Sequence, residues 1–182
     1  MRVLMDACVL YPTVTREIML GCAGQGCFVP LWSARILEEW ARAVARNLPD
    51  QQDVARAEIA LLRHHWPESE IAADATLEAS LTLPDINDRH VLAAAVTGHA
   101  DGLLTYNRRD FPARVLAGLG IRRLDPDMFA MELLAAQPGI VRDTCEAVRQ
   151  RAEELSGAAQ PMRALLKRAR LPRLGKALQA EG

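Results

Sequence analysis

An α/β fold with a mainly parallel sheet and a helical C-terminal extension is what the sequence predicts. Three observations carry this. Short apolar runs of the kind that form buried parallel strands recur up to residue 124. Segments with helical period separate them, and beyond Asp125 the pattern is helical throughout. The first strand is Val3-Leu4-Met5, which ends on Asp6. Tyr11-Pro12 interrupts the chain, Thr13 is a candidate cap for a helix reaching Cys22, and Gly24-Gln25-Gly26 closes it. Phe28-Val29-Pro30-Leu31 reads as the second strand. Ser33 is a good N-cap for a helix whose apolar residues Ile36, Leu37, Trp40, Ala41 and Val44 repeat at helical spacing.

Pro49-Asp50 opens another helix, running to His65 and stopped by Pro67, and residues 68–83 read as a helix-containing linker. Pro84-Asp85-Ile86-Asn87-Asp88 opens a helix through Val96 that Gly98 closes. Leu103-Leu104-Thr105 is a strand, 106–112 a loop leading to a short helix, and Ile121-Arg122-Arg123-Leu124 the last strand. Asp125-Pro126 combines a cap with Pro at the first helical position, and helices follow over 128–136, 140–155 and 162–169. Ser156-Gly157-Ala158 is the internal linker. The expected organisation is a domain over 1–125 and a helical extension over 126–182.

Half of the 182 residues are hydrophobic, enough for a real core, but only 4% are aromatic, so aliphatic side chains must fill it. A formal net charge of −1 excludes a globally basic nucleic-acid binder while leaving room for local basic patches. Cys8, Cys22, Cys27 and Cys145 form no CxxC pair, and no histidine sits beside them at zinc-ligand spacing. Reduced thiols in a cytoplasmic protein are expected. No signal peptide is expected, and no apolar run approaches the roughly 20 residues of a membrane helix.

In open α/β sheets ligands bind outside the carboxyl ends of the strands. Asp6 follows the first strand directly, Asp110 lies in the loop after the Leu103–Thr105 run, and Asp85 and Asp88 open the helix leading into that run. Glu38 and Glu39 lie one turn into the helix after the second strand, on opposite flanks of its apolar face, so the helical wheel does not choose between them. Asp85 and Asp88 have the spacing of an N-cap and its N3 partner, and the capping role is assigned to Asp85. A cluster of such acids is mutually repulsive without cations. Carboxylates without thiol or imidazole partners point to hard cations, Mg²⁺ or Mn²⁺. Two such ions suit phosphodiester cleavage.

The same residues resemble a known family. The resemblance rests on the run Val3-Leu4-Met5-Asp6-Ala7-Cys8-Val9-Leu10-Tyr11-Pro12, on Trp32-Ser33 with Ile36-Leu37-Glu38-Glu39-Trp40, on the run from Leu83 through Asp88 to Ala95, and on Leu104-Thr105-Tyr106-Asn107-Arg108-Arg109-Asp110-Phe111-Pro112. This pattern is similar to PIN domains of the bacterial VapC-like toxin group. The resemblance implies a three-layer α/β/α ribonuclease with an acidic pocket for Mg²⁺ or Mn²⁺. It implies catalytic and metal-holding roles for Asp6, Glu39, Asp88 and Asp110, with Glu39 chosen over Glu38 because it directly precedes the apolar Trp40. Asn107 stands where many relatives carry an aspartate, so the fourth charge is placed on Asp110. Asn107 becomes a neutral support or substrate contact, and Thr105 a hydrogen-bond partner of one of the acids. Asp85, Arg108 and Arg109 are the further supporting or substrate-contacting candidates.

The resemblance also implies an RNA substrate, a cognate antitoxin protein and a homodimer; no membrane partner is expected, since no apolar run is long enough to span one. Arg163, Lys167, Arg168, Arg170, Arg173 and Lys176 make the end of the chain basic, suited to an RNA backbone or to a partner. His90 reads as a packing residue that could line the pocket. The alternative function is a catalytically silent scaffold that binds RNA or protein, against which the retained acids argue. No Walker A loop supports an unrelated phosphoryl-transfer enzyme.

Overall fold

The computed structural model describes residues 1–180; residues 181 and 182, the end of the expected helical extension, lie outside the described residues. Among the described residues, β1 (Arg2–Met5), β2 (Val29–Leu31), β3 (Gly102–Leu104) and β4 (Arg122–Leu124) form one parallel sheet in the order β2-β1-β3-β4. Val3 pairs with Pro30 on one side and with Gly102 on the other, and Leu104 pairs with Leu124. The expected α/β class with a parallel sheet is the observed one.

Burial explains the strand order. Val3, Leu4, Met5, Leu103 and Leu104 are fully buried although successive side chains point to opposite faces, so both faces of the central strands are covered. The edge strands carry what the centre cannot. Pro30 lacks an N–H and lies on β2, which has β1 as its one neighbour, and β4 holds Arg122 and Arg123.

The helices of this unit follow from local signals. α1 (Ala7–Leu10) is a short turn directly after Asp6, whose carbonyl accepts from Val9 and Leu10 N–H; the expectation did not include it. α3 (Ala34–Asn47) buries Ile36, Leu37, Trp40, Ala41 and Val44, and the Ser33 hydroxyl caps it by accepting from Ile36 N at 3.2 Å, as expected. α4 (Gln52–His65) ends before Pro67, and α5 (Ala75–Ser80) is the helix within the 68–83 linker. The single helix expected from residue 84 is divided. A 3-10 turn over Ile86–Asp88 precedes α6 (Arg89–Thr97), which buries every side chain from His90 to Ala95. Three consecutive alanines let that helix approach its neighbours closely. α7 (Ala113–Gly118) leads into β4.

The contact pattern divides the chain into two compact units, residues 1–11 with 29–124, and residues 12–28 with the chain from Asp125 onward. The second unit contains α2 (Thr13–Gly24), α8 (Pro126–Ala136), α9 (Pro138–Ser156), α10 (Met162–Arg168) and α11 (Pro172–Ala180). α2 therefore groups with the C-terminal helices. Thr13 is the first residue of α2, and its side chain makes no cap. Pro12 holds the capping position in extended geometry, and Pro lacks the side-chain acceptor a cap needs. Asp125 caps α8 as expected, accepting from Asp127 and Met128 N–H with Pro126 at the first position. Gly157, in the left-handed region at φ 63°, ends α9 at the expected linker. Phe28 meets Phe129 edge-on at 5.2 Å, and the buried Thr15 hydroxyl donates to Ala169 O at 2.9 Å, closing the end of α10. The four cysteines are free thiols. No described helix is long and apolar enough to cross a membrane.

Asp127 holds the last helix in place. Its buried carboxylate accepts from Arg173 N at 3.0 and 3.2 Å and from Leu174 N at 3.1 Å, so an acid on α8 caps α11 from a distance in sequence. Asp127→Ala should lower the unfolding free energy by about 1–3 kcal/mol, with Asp127→Asn losing less because one acceptor oxygen remains. Urea denaturation reads both, and an unchanged midpoint in the alanine variant would mean the cap contributes nothing.

Candidate active site

β1 and β3 lie side by side with their other neighbours on opposite flanks, which makes the gap between them the switch point of the sheet. Asp6 leaves the end of β1 with its N–H donating to Leu104 O at 3.1 Å. Its carboxylate is almost completely buried. Oδ2 accepts the Thr105 hydroxyl at 2.6 Å and the Cys8 thiol at 3.0 Å. Tyr106 N in turn donates to Cys8 Sγ at 3.3 Å. Burial first, then the charge and hydrogen bond of Asp6, push the Cys8 thiol up to about 12. Cys8 is thus a neutral donor that orients Asp6, not a thiolate.

Asp85, Asp88 and Asp110 each offer a carboxylate oxygen within 4.8 Å of the others. Asn107 binds two of them together. Its side-chain amide donates to Asp88 Oδ2 at 3.0 Å, its carbonyl accepts from Asp110 N at 3.2 Å, and its own N–H donates to Thr105 Oγ1 at 2.9 Å. A neutral amide can serve as both donor and acceptor here, which a third carboxylate could not. Asp85 does two things: its Oδ1 caps the 3-10 turn by accepting from Asn87 N at 2.8 Å, and it stands in the acidic trio.

The half-buried Asp88 carboxyl is raised to about 6, first by burial and then by the charges of Asp6, Asp85 and Asp110, with His90 opposing. Asp6 therefore acts on Asp88 through space even though it is anchored at the end of β1.

Glu39 does not join the trio. Its Oε1 lies 2.9 Å from Nε2 of the buried His90 and 3.5 Å from Arg35 Nε. His90 also acts electrostatically on Asp88, while its Nδ1 is buried with no partner among the described residues. Glu38 is turned elsewhere, accepting from Arg42 at 2.9 Å and from Arg56 at 2.6 Å. Arg108 and Arg109 are exposed on the loop between Tyr106 and Asp110.

Cys8 is the functional neighbour that sequence reasoning missed. A cysteine two residues past a strand-end acid is indistinguishable from a core thiol until the β3 loop closes over it. His90 is more than packing, since its Nε2 is committed to Glu39.

An all-oxygen donor set of this density suits a hard divalent cation and not a soft one. The protein is thus an α/β protein with a carboxylate centre at its sheet switch point. The profile of the PIN domain matches residues 2–109, more than half of the chain, and the chain belongs to that family. PIN domains are generally nucleases that use divalent metals. A search of curated proteins and of solved structures found no match.

The raised Asp88 carboxyl has a consequence for the metal-free protein. Its ordinary value is near 4, so between about 4 and about 6 the folded chain holds a proton that the unfolded chain has lost. Stability then falls as pH rises through about 6, and the full penalty persists above it. Metal-free protein should melt higher near pH 5 than near pH 7, and Asp88→Asn should shrink that difference and raise the melting temperature near pH 7. Differential scanning calorimetry in EDTA decides it, and an identical pH response in the two proteins would show that Asp88 carries no such penalty.

Proposed function

We propose that this PIN-domain protein is an endoribonuclease that cleaves RNA phosphodiester bonds with Mg²⁺ or Mn²⁺. Its proposed role is the toxin of a cytoplasmic toxin–antitoxin pair of the VapC-like kind. The observation that carries the catalytic reading is the gathering of Asp85, Asp88 and Asp110 within 4.8 Å of one another, where burial first and then the charges of Asp6, Asp85 and Asp110 raise the Asp88 carboxyl. So much negative charge in one place repels a phosphodiester unless cations intervene. An antitoxin and a homodimer are proposed as partners on the family resemblance.

In this reading Asp6, Asp88 and Asp110 hold the cations, with Asp85 as a further oxygen donor and Glu39 as the acid poised by His90. The bound cations would supply an activated water and charge neutralisation at the leaving oxygen. The chain's own residues fix the geometry. Thr105 and Cys8 occupy Asp6 Oδ2, which leaves Oδ1 the freer oxygen. Asn107 keeps Asp88 and Asp110 in register through one side chain. Exposed Arg108 and Arg109 on the same loop offer charge to an approaching phosphate.

Purified protein should cleave RNA with added Mn²⁺ and stop on addition of EDTA. Asp6→Asn and Asp88→Asn should each lose at least about 100-fold in rate, more than the loss usual for a residue that merely supports a ligand. Gel-based cleavage with Mn²⁺ titration by calorimetry reads both activity and binding. Wild-type protein that binds no Mn²⁺ and leaves RNA intact would indicate a silent scaffold.

A further inference from the structure

No residue of the acidic site belongs to the basic segment over 162–180. α10 and α11 form a helical hairpin inside the second unit, packed so closely that a Cβ on Gly175 would meet Leu166 Cβ at 3.1 Å and the Arg163 backbone at 3.4 Å. Leu165, Leu166, Ala169, Leu171 and Leu174 are buried, and Asp127 pins the start of α11. All the charge on this hairpin is therefore turned outward. Arg163, Lys167, Arg168, Arg170, Arg173 and Lys176 are all exposed, and residues 162–180 contain no Asp or Glu, in a chain whose net charge is −1. Arg170 sits at the turn with φ 63°, a left-handed position that usually goes to Gly or Asn.

Several arginines elsewhere in the chain are neutralised by carboxylates. Arg42 and Arg56 bind Glu38, Arg63 binds Glu70, and Arg149 on α9 binds Glu146 and Glu153. On the hairpin, by contrast, Arg163 and Arg168 reach only the neutral amides of Gln179 and Gln160, and Arg173 the sulfur of Met128. Lys167 and Lys176 have no ion-pair partner among the described residues. Cations already paired with carboxylates have little to gain from a phosphate. Cations held on a rigid surface without carboxylates keep their counterions and release them when a polyanion binds.

We propose that the α10–α11 hairpin is a docking surface for the phosphate backbone of an RNA strand, built from the second unit alone. The choice of RNA among polyanions rests on the nuclease reading above. Binding is sequence-independent and strongly dependent on salt, and it needs no divalent cation.

The test is fluorescence anisotropy of a labelled single-stranded RNA of about 20 nucleotides, longer than common single-strand sites, titrated with full-length protein in EDTA across a NaCl series. Three proteins are compared: the wild type, the hairpin variant Lys167→Gln/Arg168→Gln/Lys176→Gln, and a charge-matched control, Arg42→Gln/Arg56→Gln/Arg63→Gln. Circular dichroism melts establish that each is folded. The hairpin variant should bind at least about 10-fold more weakly, with its log–log salt slope smaller by about 2, while the control keeps the wild-type slope.

Equal slopes for wild type and hairpin variant overturn the proposal, and so does a control that loses as much as the hairpin variant. Tighter binding of poly-L-glutamate than of RNA also overturns it and identifies an acidic protein surface as the occupant. Cleavage is assayed separately with Mn²⁺. Absent cleavage with the expected slope difference sinks the nuclease reading and supports the hairpin. Cleavage with equal slopes does the reverse.

Discussion

Crowded like charge is the constraint around which the site is organised. Asp85, Asp88 and Asp110 bring carboxylate oxygens into one small region, with Asp6 acting on Asp88 from the end of β1. Nothing about carboxylates favours this on their own. It is enforced by neutral groups that cannot repel them. Asn107 ties Asp88 to the backbone of Asp110, while the Thr105 hydroxyl and the Cys8 thiol share one oxygen of Asp6. Burial first, and then this crowding of charge, raise the Asp88 carboxyl in the absence of cations. A site crowded in this way is preorganised for positive charge.

The scaffold makes that crowding possible. Two fully buried parallel strands, β1 and β3, end side by side, and the chain leaves each of them through residues that carry the chemistry. Asp6 is held by the turn into α1, and Thr105 begins the loop that carries Asn107 and Asp110. The alanines of α6 allow that buried helix to pack closely, and the 3-10 turn ahead of it delivers Asp85 and Asp88. Because these supports are backbone turns anchored in the core, small errors in packing would translate directly into carboxylate positions.

The second unit follows a different logic. Its helix ends are closed by side chains remote in sequence, Asp127 for α11 and Thr15 for α10. Apolar side chains of the α10–α11 hairpin turn inward and its cations outward. On α9, Arg149 is matched by Glu146 and Glu153 of the same helix and Arg151 by Glu17 of α2, whereas the hairpin sequence over 162–180 holds no acid. The acidic cluster thus belongs to one unit and the basic hairpin to the other.

The sequence by itself determined what depends on neighbours within a turn or two. The parallel-strand runs, the amphipathic face of α3, the Ser33 and Asp125 caps, the αL stop at Gly157 and the position of acids after strands are all local in period or in hydrogen bonding. Only the tertiary structure decided what depends on distances across the fold. It directed Glu38 to arginines and Glu39 to His90, gave Asp85 a place among the acids beyond its cap, drew Cys8 against Asp6, and grouped α2 with the C-terminal helices. A helical wheel gives the angle at which a side chain leaves its own axis. It says nothing about which residue, some fifty or a hundred positions away, the packed core will bring to meet it.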